Sequence, residues 1–395
     1  MKSKGKQNIG IKVRPVIKWT GGKYDEFFEF SQFVPEFKNY YEAFFGGGGV
    51  FFALQPKGNA YLNDKSTDLF KFYELISSRN KVFVTHLNIY ADAWDQATIL
   101  SKQISQNLLT AFVDFVDHTI DKLVLSKIIT AYINSIDQLQ FRPLFQKKFI
   151  VNRDEFISFL IHSLNDKFKR IKHIQHKENK TFLENELLDH VETGVKSGLY
   201  LYLRKLTNDV AKDRLVMTPE KAVANWYFVR EFCYASMFRF NKKGEFNIPY
   251  GGIAYNKKNF RAKVEAIFSK QVKKLLECAV FSNLDFDEFM KERAPSPGDF
   301  VFLDPPYDSE FSEYDQNAFT RDDQVRLRNA IVNCKAKCMV VIKETPFIRE
   351  LYCSAPFYIV DFDKTYTYNV RGRNDRGTKH LIILNYPPNP IDNIS

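Results

Sequence analysis

The feature that most constrains this chain is a recurring unit: a short apolar run that stops at an acid, a glycine or a proline. Candidate strands of this kind lie at Asn39–Phe44, Asn59–Leu62, Val280–Asn283, Phe300–Leu303, Cys338–Ile342, Phe357–Phe362 and Leu381–Asn385. Several are apolar without alternation, as strands covered on both faces are. Helical spacing follows many of them, for example at Ser66–Ser77 and Arg321–Asn333. Alternation of this type predicts a doubly wound α/β sheet.

The pattern is interrupted. Between roughly residues 90 and 275 the apolar spacing turns helical, as at Leu108, Phe112, Phe115 and Val116, and strand signals become rare. The chain therefore reads as a sheet domain, 1–90 with 275–395, into which a largely helical domain, 91–274, is inserted. Within the insert, Lys167 to Lys177 interleaves basic with aromatic and aliphatic residues. Such a segment either tracks a phosphate backbone or forms a solvated amphipathic helix, and the residues alone leave both open.

Fifty-seven Lys and Arg against forty-seven Asp and Glu give a net charge of +10, which favours a polyanionic partner but also fits a merely basic protein. The five cysteines, Cys233, Cys278, Cys334, Cys338 and Cys353, are too few for a disulfide framework in a chain this long, so a reducing compartment is expected. Cys334 and Cys338 lie four apart without a second ligand pair, and read as thiols rather than as a zinc site. Residues Met1 to Arg14 are lysine-rich with no apolar segment behind them, and no apolar run approaches the roughly 18 residues that span a bilayer. A soluble, cytoplasmic protein without membrane or metal partners is expected.

Three segments carry chemistry. Tyr40 to Phe52 places Gly46, Gly47, Gly48 and Gly49 between a candidate strand and a helical pattern, where a nucleotide-like ligand can approach bare backbone, although a tight turn alone also uses such a run. Asp64 ends the next candidate strand eighteen positions after Gly46, where an acid can bind ribose hydroxyls, or cap the following helix, or both. Val301 to Leu303 then runs into Asp304, Pro305, Pro306 and Tyr307, and the two prolines take the chain rigidly out of the sheet.

The last segment suits one reaction. An exocyclic amine on a base is a poor nucleophile, because its lone pair is delocalised into the ring. A catalyst must hold both N–H groups and aim the lone pair at the electrophile, and Asp304 with the Pro305 carbonyl can accept those two hydrogen bonds. A base taken out of the duplex stack loses stacking worth a few kcal/mol, and the Tyr307 ring can return part of it.

In their order and content these motifs resemble the Dam-type family of adenine-N6 DNA methyltransferases, the D12 class. Pro15 to Lys23 is similar to the N-terminal cofactor motif of that family, which implies that Trp19, Gly21, Gly22 and Lys23 contact the methionine end of S-adenosyl-L-methionine. Glu42 to Gly49 resembles its glycine-rich loop, with Phe44, Gly46 and Gly48 at the cofactor, although Ala43 stands where a proline is common. Asp64 matches the ribose-binding acid, Asp304 to Tyr307 the catalytic tetrapeptide, and Asp285 with Phe286 the adenine-binding segment for the cofactor. Phe238 to Gly252 resembles the DNA-contacting hairpin, with Arg239, Asn241, Lys243, Asn247 and Tyr250 toward DNA. Phe311 to Phe319 and Tyr366 to Arg373 resemble segments near the target-base pocket.

The resemblance implies a Rossmann-like methyltransferase sheet with an inserted target-recognition domain, and duplex DNA bound across both. It implies methyl transfer from S-adenosyl-L-methionine to adenine N6 by base flipping, leaving S-adenosyl-L-homocysteine, with no metal and no covalent intermediate. A cognate restriction endonuclease acting separately is a further partner it allows. Three rivals are weighed. N4-cytosine methylation uses the same geometry, and the aspartate of the tetrapeptide favours adenine. A dinucleotide-dependent oxidoreductase leaves Asp304 to Tyr307 unexplained. A silent DNA-binding protein leaves the cofactor motifs unexplained.

Overall fold

The computed structural model describes residues 13–179, 181–306, 319–365 and 377–388. The chain divides into two compact units, residues 1–78 with 269–395, and residues 79–268.

The first unit is a mixed α/β body around a seven-stranded sheet. Its strands are β1 Tyr40–Glu42, β2 Ala60–Asn63, β3 Ala279–Ser282, β4 Phe300–Leu303, β5 Lys337–Lys343, β6 Tyr358–Thr365 and β7 Gly377–Leu384. They lie in the order β3-β2-β1-β4-β5-β7-β6. Strands β1 to β5 are parallel, and β7 runs antiparallel between β5 and β6. Each candidate strand of the sequence is present. Strand β7 starts before its apolar run, because Lys379 and His380 continue the ladder with β6 and β5.

All four residues of β4 are buried, which explains its unbroken apolar run. Val301 and Leu303 face a core shared with Val340, Ile342, Leu381 and Ile383, covered by Leu327 and Ile331 of the helix Arg321–Asn333. Phe302 points the other way, and Phe30 stacks on it at 5.8 Å. Burial of apolar surface on both faces at roughly 25 cal/mol per Å² is what holds the strand centres together.

The strand ends need a different fastening, since carbonyls and amides there have left the ladder. Asn63, fully buried at the end of β2, supplies it. Its amide nitrogen donates to the Ala43 carbonyl at 3.1 Å and the Leu284 carbonyl at 3.0 Å, and its side-chain oxygen accepts from the Leu284 amide at 3.0 Å. One side chain thus ties together the segments that leave β1, β2 and β3.

The second unit is mainly helical. Its long helices are Lys81–Val116, Lys122–Ser135, Arg153–Glu178, Glu184–Ala211 and Pro219–Phe232. The basic segment 167–177 lies within one of them, and there Phe168 stacks on Phe112 at 3.7 Å while Ile171 is buried. Its apolar residues therefore pack inward, and Arg170, His173 and Lys177 remain exposed. Among the described residues no helix is long and apolar enough to cross a membrane.

Asn63→Leu keeps the branched shape but withdraws all three hydrogen bonds, so it should lower stability by about 2–4 kcal/mol. The midpoint of urea denaturation measures this, and an unchanged midpoint would remove Asn63 as the fastener.

Candidate active site

Strand order reverses between β1 and β4: the chain moves outward to β2 and β3 on one side, and from β4 to β5 on the other. Ligands of such sheets bind in the crevice at the carboxyl ends of the strands beside this switch point. Glu42 pairs with Phe302 in register. Two residues further along each strand stand Phe44 and Asp304, so the glycine-rich turn and the Asp-Pro-Pro segment leave the sheet side by side.

Asp304 is gripped. The ammonium nitrogen of Lys23 lies 2.8 Å from its Oδ1 and 3.0 Å from its Oδ2, and also 3.0 Å from the Gly21 carbonyl. Lys23 is 2% exposed and the Asp304 side chain 19%. In the sequence Lys23 reads as a cofactor contact, and nothing there foretells this pair, whose partners are 281 residues apart. Pro305 is buried and Pro306 exposed, and fully buried Gln324 donates to the Pro306 carbonyl at 3.1 Å. Tyr307, with residues 308–318 and 366–376, lies outside the described residues.

The glycine run is shaped largely by the chain itself. A Cβ on Gly46 would sit 2.9 Å from the Trp19 ring, and one on Gly47 would sit 2.9 Å from the Trp19 Cβ. On Gly49 it would meet the backbone nitrogens of Lys23 and Tyr24 at 2.8 and 2.9 Å. Bare backbone here lets the segment carrying Trp19 and Lys23 lie down on the loop. Gly21 and Gly22 are exposed, and Gly48 has φ of 71°.

Two further carboxyl groups lie at this edge. Burial pushes Glu42 well above the usual carboxylate range; the Tyr40 hydroxyl, donating at 2.7 Å, pulls it down, and Asp304 and Asp64 push it up again. Its neutral form is thereby favoured, and nothing in the sequence marked it beyond its place before the glycines. Burial also raises Asp64, opposed by two backbone donors: Ser66 N–H at 2.8 Å to Oδ1 and Gly46 N–H at 2.7 Å to Oδ2. The cap of the helix Thr67–Ser77 is Ser66, which accepts from the Leu69 amide, and not Asp64.

Beyond β3, Asp285 caps the helix Phe286–Arg293 by accepting from the Asp287 amide at 3.0 Å. The same Oδ1 takes a 2.6 Å contact from Arg326, whose guanidinium lies over the Phe286 ring at 4.8 Å. Phe44, Phe286 and Phe319 form a cluster with ring centres 5.4–5.6 Å apart.

In the second unit, Phe240 and Phe246 form an antiparallel bridge across a turn. Asn241 closes the turn: its Oδ1 accepts from the Lys243 and Glu245 amides at 2.9 and 3.0 Å. Gly244 has φ of 68°, a conformation that favours glycine. Tyr200, Arg204 and Asn208, four apart on one helix, hold the returning strand through the Ile248 carbonyl and the Phe246 backbone. Arg239 and Lys243 are exposed, and Asn247 accepts from the Arg239 guanidinium at 3.1 Å. Tyr250 is buried with its hydroxyl on Asn256, so it anchors the base of the hairpin within the unit.

Comparison with known proteins agrees with this geometry. A family model described as D12 class N6 adenine-specific DNA methyltransferase matches residues 19–97 and 146–368. The chain is 33% identical over 204 residues to the type II methyltransferase M.CviBI of Paramecium bursaria Chlorella virus NC1A, covering 50% of this chain and 75% of that protein. It is 23% identical over 389 residues to the type II methyltransferase M1.LlaDCHI of Lactococcus lactis subsp. cremoris, covering 96% and 98%. A DNA adenine methylase of Vibrio cholerae shares 26% identity over 230 residues, 56% of this chain and 78% of the relative. The matched spans include the Lys23–Asp304 pair, the glycine turn and the hairpin. With a seven-stranded, mostly parallel sheet consistent with a methyltransferase fold, this chain belongs to the D12 class N6 adenine-specific DNA methyltransferase family.

Proposed function

We propose that the chain transfers a methyl group from S-adenosyl-L-methionine to the N6 of an adenine flipped out of duplex DNA, with Asp304 as the catalytic acceptor. The observation that carries this is the half-buried carboxylate, paired with a buried lysine, at the switch point of the sheet.

The carboxyl edge fits such a cofactor. Half-buried Trp19, Phe44 and Asp64 lie with Gly21, Gly22, Gly46 and Gly48 beside it, and Asp285 with Phe286 stands at the next strand end. In this reading Asp64 holds the ribose, and Asp285 with Phe286 holds the adenine ring of the cofactor. When bound, the cofactor supplies an electrophilic methyl on a sulfonium.

Asp304 accepts one N–H of the target amine and the Pro305 carbonyl the other, which aims the nitrogen lone pair. Pro306 and buried Gln324 keep the backbone there in place, and Tyr307 offers its ring to the flipped base. Asp304 is ion-paired and a weak base, so the amine proton leaves after transfer, to solvent.

The helical unit serves as the target-recognition domain. Arg239 and Lys243 on the hairpin meet DNA directly, Asn247 orients Arg239, and Asn241 and Tyr250 keep the hairpin in shape. Two of the relatives named above carry the type II name, which supports a role beside a separate restriction endonuclease.

Four measurements test the reading. Asp304→Ala should reduce methyl transfer to unmethylated DNA by on the order of 10²–10³-fold, as loss of a polar group acting in the transition state does. Mass spectrometry of nucleosides from wild-type product should show N6-methyladenine, and N4-methylcytosine instead would overturn the assignment. Asp64→Ala should weaken binding of S-adenosyl-L-homocysteine roughly 10- to 100-fold by calorimetry. Lys243→Ala should lower the salt dependence of DNA binding by about one unit in the log–log slope, and an unchanged slope would take Lys243 off the phosphates.

A further inference from the structure

We infer that Lys23 is a positioning residue for Asp304, not a contact of the methyl donor. The inference rests on the reading of Asp304 as the acceptor of the target amine.

An ammonium has three donors. Three acceptors from this chain surround that of Lys23 within 3.0 Å: both oxygens of Asp304 and the Gly21 carbonyl. Its backbone is seated as firmly, because Gly49 lets the Lys23 nitrogen come within 2.8 Å of where a Cβ would stand. The cation is thus built into the wall of the site.

This placement does two things for the reaction. Contact with both oxygens fixes the direction in which the carboxylate is presented to the incoming N–H. The positive charge also keeps Asp304 ionised, so that it accepts and does not donate. The group facing it from β1 is Glu42, whose neutral form is favoured, with Asp64 beyond. Without Lys23, partial burial works against the ionised form of Asp304.

A contact of the methionine end of the cofactor has different consequences. Its loss weakens cofactor binding and leaves turnover at saturation largely intact, because uniform binding is what has been lost. Loss of a positioning residue lowers turnover and leaves cofactor affinity alone.

The test compares Lys23→Gln, Lys23→Arg and Asp304→Asn with wild type, after circular dichroism has checked folding. Affinity for S-adenosyl-L-homocysteine is read by calorimetry, and single-turnover methyl transfer to duplex DNA is followed from acid to alkaline pH at saturating donor. Lys23→Gln should keep affinity within about threefold while losing roughly a hundredfold in rate, with a deficit that grows as pH falls. Lys23→Arg keeps the charge but cannot fit the same three contacts, so it should show a smaller deficit without the acid-side fall.

A more than tenfold loss of affinity with rate retained at saturation, in either lysine variant, would overturn the inference and leave Lys23 with the cofactor. Should Lys23→Gln not fold, the lysine is structural at least in part, and Lys23→Arg carries the decision on the same two readouts. Full activity in Asp304→Asn would sink the reading of Asp304 itself. An inactive Asp304→Asn beside a cofactor-deficient Lys23→Gln would sink only the assignment of Lys23.

Discussion

Parallel pairing of β1 with β4 is the constraint on which the rest of the first unit depends. It brings together chain segments some 260 residues apart in sequence, and in register, so that the segments leaving both strands emerge at one level. The pairing is secured at the opposite end of the strands as well. There Asp299 accepts from the Asn39 amide group at 2.9 Å, from the Ser296 amide at 3.0 Å and from the Tyr41 hydroxyl at 3.4 Å. Burial pushes Asp299 up, but the Ser296 and Asn39 donors outweigh it and hold the carboxyl below the ordinary carboxylate range. Polar networks at both ends and an apolar centre make one rigid frame, and a frame is what a precisely placed carboxylate requires.

Much of that frame was legible in the sequence, for a physical reason. Strands covered on both faces must be apolar throughout, and ligand-binding residues tend to cluster where such strands stop, so Phe44, Asp64, Asp285 and Asp304 stood out as candidates by position. What stayed hidden was everything set by contact between distant segments. Asn63 looks like any polar residue at the end of a strand until three chain segments meet at it. Lys23 looks like part of a glycine-rich ligand motif until Asp304 is seen against it. Glu42 sits in an apolar strand where no periodicity assigns it a partner. The polar start of β7 was missed because Lys379 and His380 join the sheet through backbone bonds, to which hydropathy is blind.

The hairpin shows the same division on a smaller scale. Lys243-Gly244 marked the turn correctly, because a positive φ at that place selects glycine. Which neighbours point outward was not readable. Asn241 and Tyr250 resemble candidates for DNA contact as residue types, yet one closes the turn and the other is buried. The helix Glu184–Ala211 imposes this, since its Tyr200, Arg204 and Asn208 act as an extra strand along residues 246–248. A helix has taken the place of a sheet neighbour, and the hairpin is stiff without belonging to a sheet.

The close seating of residues 17–24 on the glycine turn has a consequence for how this molecule can change over generations. Positions 46, 47 and 49 each have the other segment's atoms within 3 Å of an added carbon. The Trp19 ring blocks the first, the Trp19 Cβ and the Ile17 carbonyl at 3.1 Å block the second, and backbone blocks the third. Side-chain obstacles can be removed by a second substitution, whereas backbone cannot. A side chain at 46 would need a smaller residue at 19 and would still carry a φ of 51°, at 47 the Ile17 carbonyl would remain even then, and Gly49 has no partner whose replacement would release it. Of the four adjacent glycines, the last is the one hemmed in by backbone alone, so that no change of a neighbouring side chain opens it.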